Sequence, residues 1–379
     1  MAARPPVRGR AARADRRPDE GGAPVKLGVA TQGFVGGHGD PARRIREIVA
    51  EAAVADEAGL HSFSISEQHF KFPTNVTGPI DVIMAAIARE TSRIVIRPGV
   101  VITPLHHPLN VAERWAAIDV LADGRMEFGI GRGNTPLTAE AFGVPVPETE
   151  PRTLEDLDVI LRAWTRPVLS YDGRFHTIAP VAVVPKPVNR PHPMIYWAAT
   201  SPGSHATAGR LGLGLLTGGN GIHWDQAERR VARYREAFEA ATGADTPPGL
   251  VRLDRVAILV NGHCAESMAE ARRQAGDYVV GYVNRTVEMY EQMVRKTGSS
   301  VSFDRARVFK DDLDMIINES PSMFGSPADC VAAARRMYDL GVDEVDVLFD
   351  GATHEQHLEC LRLLGKEVAP VLAEWPERR

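Results

Sequence analysis

The chain predicts an α/β fold, a (β/α)8 (TIM) barrel with insertions, and three observations lead there. Short apolar runs alternate with helical patterns from Val25 onward. Each strand–helix step repeats at roughly the ~30-residue scale of a βαβ unit. The runs are rich in β-branched residues, as strands covered on both faces must be. Alternation alone suits a doubly wound sheet as well as a barrel; the count of eight strands favours the closed barrel.

The first strand is Val25–Thr31, and a helix follows over Pro41–Ala58. Asp40 is its N-cap, Pro41 its first helical residue and Gly59 its stop. The second strand is His61–Ser66, then a helix over Pro79–Glu90. The third strand is Ile94–Ile102, with Pro98-Gly99 inside it, and a helix follows over Pro108–Leu121. Asp123-Gly124 turns into the fourth strand, Met126–Ile130. Thr153–Thr165 is helical, and Ser170–Arg190, with Asp172-Gly173 and several prolines, reads as a hairpin excursion. The fifth strand is Met194–Ala199, followed by a helix from Gly203 to Leu211. Gly214–Leu216 is the sixth strand and Trp224–Ala241 the next helix. Asp254–Val260 is the seventh strand, and Ala265–Val280 begins a long helical stretch. Val287–Met323 has no clear period and is expected to be a mobile insertion, a candidate lid. Pro327–Leu340, Val342–Phe349 and Glu355–Leu372 give a helix, the eighth strand and a closing helix.

A chain of 379 residues with 44% hydrophobic content can be one barrel domain, here residues 25–379. Residues 1–24 hold six arginines and almost no large apolar side chain, so this Arg/Pro-rich segment is expected to be a disordered tail. The net charge of −5 offers no basic field for nucleic acid. No run of eighteen apolar residues suggests a membrane span. Cys264, Cys330 and Cys360 form no CxxC pair, which fits a reducing, cytoplasmic setting and no zinc site.

In a (β/α)8 barrel, chemistry sits at the carboxyl ends of the strands. After strand two come Glu67, Gln68 and His69, a carboxylate, an amide and an imidazole together. They can form a polar wall or take part in a proton step, or simply an ion-paired loop. Proline and glycine inside strand three suggest a bulge that lets something flat approach the backbone. Strand four ends Gly129-Ile130-Gly131-Arg132-Gly133-Asn134; its alternate glycines clear side chains away, and Arg132 can grip a phosphate bidentately. Asn134 stands where a GxGxxG fingerprint needs glycine, and Thr135-Pro136 does not continue directly into a helix, so a dinucleotide fold is disfavoured. After strand five, Thr200, Ser201 and Ser204 offer hydroxyls and amides at a helix start, an anion site or a plain cap. His106-His107 suit capping or pocket lining, and His354–His357 lacks HExxH spacing; no metal is assigned.

Beyond these readings, VVITPLHHPLNVAERWAAIDVLADGRMEFGIGRGN, from Val100 to Asn134, resembles the central signature of the bacterial-luciferase-like flavin-dependent monooxygenase family. Ser66–Phe70 resembles that family's Glu-His-His-Phe segment, and Met194–Leu216 its flavin-phosphate segment. The resemblance runs from about Val25 to Leu372. It implies a luciferase-like barrel that binds reduced flavin mononucleotide (FMNH2) and, with dioxygen, oxygenates a small or medium organic substrate through a flavin C4a-peroxide. By position it implies that Arg132, Thr200, Ser201 and Ser204 hold the flavin phosphate. It also implies that Gly99–Val100 matches a non-proline cis peptide under the flavin ring, and that Glu67, Gln68 and His69 stand at the catalytic positions. Since the chain has no nicotinamide fingerprint, a separate NAD(P)H:flavin reductase is expected; the resemblance also implies a homodimer or higher oligomer. The same superfamily includes deazaflavin-dependent hydride transfer and non-catalytic flavin-binding partners as alternatives. Two departures stand out: Gln68 replaces a histidine that serves as base in luciferases, and Gly131 replaces their reactive cysteine.

Overall fold

The computed structural model describes residues 25–35, 39–71, 74–297 and 306–376. The expected tail, residues 1–24, lies outside them. The strands are β1 (Lys26–Thr31), β2 (Ser62–Ile65), β3 (Val95–Pro98), β4 (Val101–Ile102), β5 (Phe128–Gly131), β6 (Leu169–Asp172), β7 (Thr177–Val181), β8 (Ile195–Ala199), β9 (Gly214–Gly218), β10 (Val256–Cys264), β11 (Ser322–Gly325) and β12 (Glu344–Leu348). The helices are α1 (Pro41–Glu57), α2 (Ile80–Glu90), α3 (Pro108–Leu121), α4 (Pro136–Ala141), α5 (Thr149–Thr165), α6 (Pro202–Leu211), α7 (Trp224–Ala240), α8 (Met268–Thr297), α9 (Leu313–Glu319), α10 (Pro327–Asp339), α11 (His354–Leu363) and α12 (Ala369–Ala373).

Parallel pairing runs β3-β2-β1-β12-β10-β9-β8-β5-β4. The two ends of that order are the two halves of one strand position, since β3 and β4 are separated only by Gly99 and Val100. A parallel bridge from Ile96 to Met126 and the β4–β5 register close the ring. The chain is thus a (β/α)8 barrel whose third strand is broken in the middle. The β6–β7 hairpin stands off the barrel, as its turn residues predict. Among the described residues no helix is long and apolar enough to cross a membrane.

Local chemistry explains where helices begin. Asp40 accepts the amide of Ala42 ahead of Pro41, and Gly59 takes φ +83° just past the end of α1. Ser201, Ser326 and Thr353 cap α6, α10 and α11 through reciprocal capping boxes. Three segments differ from expectation. α4 starts directly at Pro136, although Thr135-Pro136 was expected not to continue into a helix; proline at the first turn has its missing N–H where no bond is needed. β10 extends to Cys264, because β11 pairs with Asn261–Cys264 beyond the ring. Val287–Met323, where described, holds the end of α8, a 3₁₀ turn at Ala306–Phe309, α9 and β11. Phe309 and Ile316 are buried there against α8, with Tyr278 and Val279.

Side chains of the strands alternate between the helices and the interior of the barrel. Phe128 packs edge-on to Trp115 and Trp164 beneath α3 and α5. The interior at the amino end of the strands is ionic. Arg97, fully buried, donates to Glu127 Oε2 (2.7 Å), to both Glu344 oxygens (2.7 and 3.0 Å), to Asp346 Oδ2 (2.7 Å) and to Ser62 Oγ (3.2 Å). One guanidinium faces three carboxylates. Burial therefore pushes Asp346 up to about 7, against the pull of Arg97 and with the push of Glu344. Replacing Arg97 by Met leaves these acids without a counter-charge, and a loss of ~3–5 kcal/mol is expected in urea unfolding at pH 7. Acids whose folded-state pKa is raised stabilise the fold below their unfolded value and lose that stabilisation as pH rises. The Arg97→Met deficit should therefore shrink on lowering the pH toward ~5; a deficit that grows would refute the assignment.

Candidate functional site

A cavity of about 470 Å³ opens among the residues that follow the strands. Glu67, Gln68, Gly99, Val100, Gly131, Arg132, Thr200 and Ser204 all line it. Sequence reasoning thus reached the cavity from four different strand ends. His69 and Ser201 stand behind the wall rather than in it.

The third strand supplies the floor. The Gly99–Val100 peptide is cis, and the neighbouring strand comes close: a Cβ on Gly131 would lie 2.8 Å from Val100 Cγ2 and 3.3 Å from Ala198 Cβ. A Cβ on Gly129 would overlap the Pro98 carbonyl. Alternate glycines of strand four therefore do clear a surface, and what they admit is the backbone of strand three.

Arg132 and the Thr200 turn lie side by side because β5 and β8 pair in parallel. Ile130 is opposite Trp197, so Arg132 falls level with Ala199, one residue before Thr200. No carboxylate pairs with Arg132 among the described residues. Ser201 Oγ accepts the Ser204 amide (3.3 Å) and Ser204 Oγ accepts the Ser201 amide (3.1 Å), so both serines cap α6. His205 fixes this corner, joining the Ser201 carbonyl (2.6 Å) to Thr217 Oγ1 (2.8 Å) across to the sixth strand. Burial lowers its pKa to about 4, so it is neutral there.

Glu67 is the hub of the corner after β2, across the third strand from Arg132. Oε2 accepts the Ile102 amide (2.7 Å), while Oε1 accepts His69 Nε2 and His106 Nε2, each at 2.7 Å. Burial would raise its pKa, but the bonds from His106, His69 and Ile102 hold it below the usual carboxylate range. The His69 ring turns toward Phe142 and Phe70, and His107 Nδ1 caps α3 by accepting the Leu109 amide. The donor atoms of Glu67, His69 and His106 lie within 4.8 Å of one another, a set able to hold a metal ion if both histidines gave up their bonds to the carboxylate.

Residues outside the sequence expectations complete the wall. Lys71 and Asn75 follow Gln68, and α8 contributes Tyr278, Tyr282, Arg285 and Met289. These four fall at i, i+4, i+7 and i+11, so helical periodicity carried past Val280 would have found them. Gln32 Nε2 donates to the Tyr282 hydroxyl (3.3 Å), and Asp350 anchors the end of β1 through Thr31 Oγ1 (2.6 Å) and the Gln32 amide (2.7 Å).

Residues 25–344 match the family described as luciferase-like monooxygenase, and the chain belongs to that family. It is 24% identical over 238 residues to the oxygenase component of a flavin-dependent trigonelline monooxygenase of Acinetobacter baylyi, covering 62% of this chain and 64% of that one. It spans between 51% and 64% of the length of the first three curated relatives it matches. Its fold matches the oxygenating constituent of 3,6-diketocamphane monooxygenase of Pseudomonas putida, solved with FMN, at a TM-score of 0.74 and 20% identity, covering 92% of this chain and 98% of that one. It also matches the coenzyme F420-dependent tetrahydromethanopterin reductase of Methanopyrus kandleri at 0.69 and 20%, covering 92% and 100%.

Glu67→Gln leaves one of the three donors facing an amide N–H instead of an oxygen. A loss of ~2 kcal/mol in unfolding free energy is expected at pH 7. Because Glu67 is depressed in the folded state, its contribution is present above the unfolded pKa of ~4.3 and lost as pH falls. The wild-type advantage over Glu67→Gln should therefore vanish toward acid pH; an advantage independent of pH would refute the charged hub.

Proposed function

We propose that this chain is the oxygenating component of a two-component flavin monooxygenase, with reduced FMN supplied by a separate NAD(P)H:flavin reductase. The observation that carries the reading is the pairing of Arg132, which has no carboxylate partner among the described residues, with the Thr200–Ser204 helix start at one end of the cavity. A terminal phosphate fits there: Arg132 offers a bidentate fork, and Thr200 and the α6 amino end offer a hydroxyl and a favourable dipole. Ser201 supports this by capping α6. The floor at Gly99, Val100 and Gly131 is nearly free of side chains, which suits a flat ring.

Bound reduced flavin supplies, with dioxygen, the oxygen-transfer chemistry. This chain's residues would position the ring, exclude water and hold the substrate. Tyr278, Tyr282 and Met289 of α8 cover the cavity and limit water access. Glu67 holds the loop after strand two in shape. Gln68 offers an amide to substrate or cofactor but no proton at neutral pH. His69 is tied to Glu67 and acts through it. A homodimer and a reducing, cytoplasmic compartment accord with this reading, the three cysteines being free and buried.

The other reading is hydride transfer with a deazaflavin, which the F420-dependent fold neighbour keeps open. The distinguishing measurements are direct. FMN should bind more tightly than F420, and chemically reduced FMN mixed with protein in aerated buffer should release hydrogen peroxide more slowly than free flavin. Tighter F420 binding, with peroxide released at the free-flavin rate, sinks the monooxygenase reading. Arg132→Ala should raise the FMN Kd by ~10–100-fold, in keeping with loss of a charge-assisted bidentate contact. The same change should hardly affect riboflavin, which lacks the phosphate; equal weakening of both would remove Arg132 from the phosphate site.

A further inference from the structure

Lys71 is a cation of the cavity wall that the phosphate corner does not use. It lies six residues past β2, on the loop that carries Glu67 and Gln68, and lines the cavity. Its backbone is pinned: the Lys71 carbonyl accepts the amides of Thr74 (2.7 Å) and Asn75 (3.1 Å) and the Thr74 hydroxyl. Its ammonium has no carboxylate partner among the described residues. A half-buried cation without a counter-charge is costly, and such a group is commonly satisfied by a ligand.

The neighbouring polar groups of the described residues are engaged elsewhere. The Glu67 oxygens are already taken by Ile102, His69 and His106. Asn75 donates to the Gln32 carbonyl (3.0 Å), and Gln32 to Tyr282. Arg285, a second cation of the wall, stacks over Phe34 and Tyr278 at 5.4 and 5.8 Å. Strand order separates this corner from the phosphate corner: the broken third strand stands between β2, which leads to Lys71, and β5, which leads to Arg132. A phosphate at Arg132 would thus lie across the third strand from the loop that carries Lys71.

We propose that Lys71 anchors an oxyanion of the organic substrate, a carboxylate or an enolate, and so selects acidic substrates over neutral ones. This rests on the flavin reading only in giving the Arg132 corner to the cofactor. The other charged or titratable residues lining the cavity are Glu67, Arg132, Glu150, Arg230, Arg285, Tyr278, Tyr282 and Asp346. Tyr278 and Tyr282 are pushed above the ordinary phenol range by burial, Glu67 is held low, and burial pushes Asp346 up against the pull of Arg97.

The test is calorimetric titration at pH 7, with and without saturating oxidised FMN. The probes are aliphatic and aromatic monocarboxylates from butanoate to cinnamate, each beside its primary amide. At least one acid is expected to bind ~10-fold more tightly than its amide, as a charge-assisted contact allows. Lys71→Met should abolish that preference and leave the FMN Kd within ~3-fold, while Lys71→Arg should keep it. The proposal is overturned if no acid outbinds its amide, if Lys71→Met keeps the preference, or if Lys71→Met loses FMN instead. Acid preference in a protein that does not bind FMN would support the anchor while counting against the cofactor assignment.

Discussion

Strands three and four approach each other more closely than side chains would permit, and the cavity depends on that approach. Gly129 lies under the Pro98 carbonyl and Gly131 against Val100, so a β carbon at either would force the two strands apart. The contact breaks strand three into two short segments and still closes the ring, through Ile96–Met126 below and β4–β5 above. It also sets Arg132 at the lip of the cavity, beside the Thr200 turn. The glycines of the Gly129–Gly133 run thus shape the floor first, and the free surface above the floor is a consequence.

Below that floor the barrel is filled with charge. Most barrel interiors are layers of branched apolar side chains; here Arg97 is enclosed by Glu127, Glu344, Asp346 and Ser62, with Tyr196 against its face at 5.2 Å. Such a cluster is a poor source of stability compared with apolar packing. Its members hold one another in place, and Asp346 reaches both this cluster and the cavity. The floor is therefore rigid and polar from beneath, while the walls above it come from loops and from α8.

The segment after strand two changes meaning once its neighbours are seen. In sequence, Glu67, Gln68 and His69 are a polar triplet of equal interest. In the fold they separate. Glu67 is a buried acceptor for three donors, His69 lies behind the wall, and only Gln68 of the remaining two faces the cavity. His106, 39 residues away in the chain, completes the hub, and nothing in its local sequence distinguishes it from the capping His107 beside it. The α6 turn behaves differently. Its cap was legible in Ser201-Pro202 because an N-cap is a local matter, and the structure keeps it as written.

Local pattern was enough for the alternation of strands and helices, for the capped helix starts, for the β6–β7 hairpin, and for four strand ends that meet at one cavity. Each of these depends on residues within a few positions of one another, where propensity, turn chemistry and periodicity act directly. Tertiary structure alone decided what spans the chain: the pairing of β5 with β8 that brings Arg132 to Thr200, the reach of α8 over the site, the three-donor grip on Glu67, and the ammonium of Lys71, without a carboxylate partner among the described residues. Those features arise from burial and long-range charge, and a residue's spacing in the chain carries no record of which distant groups will surround it.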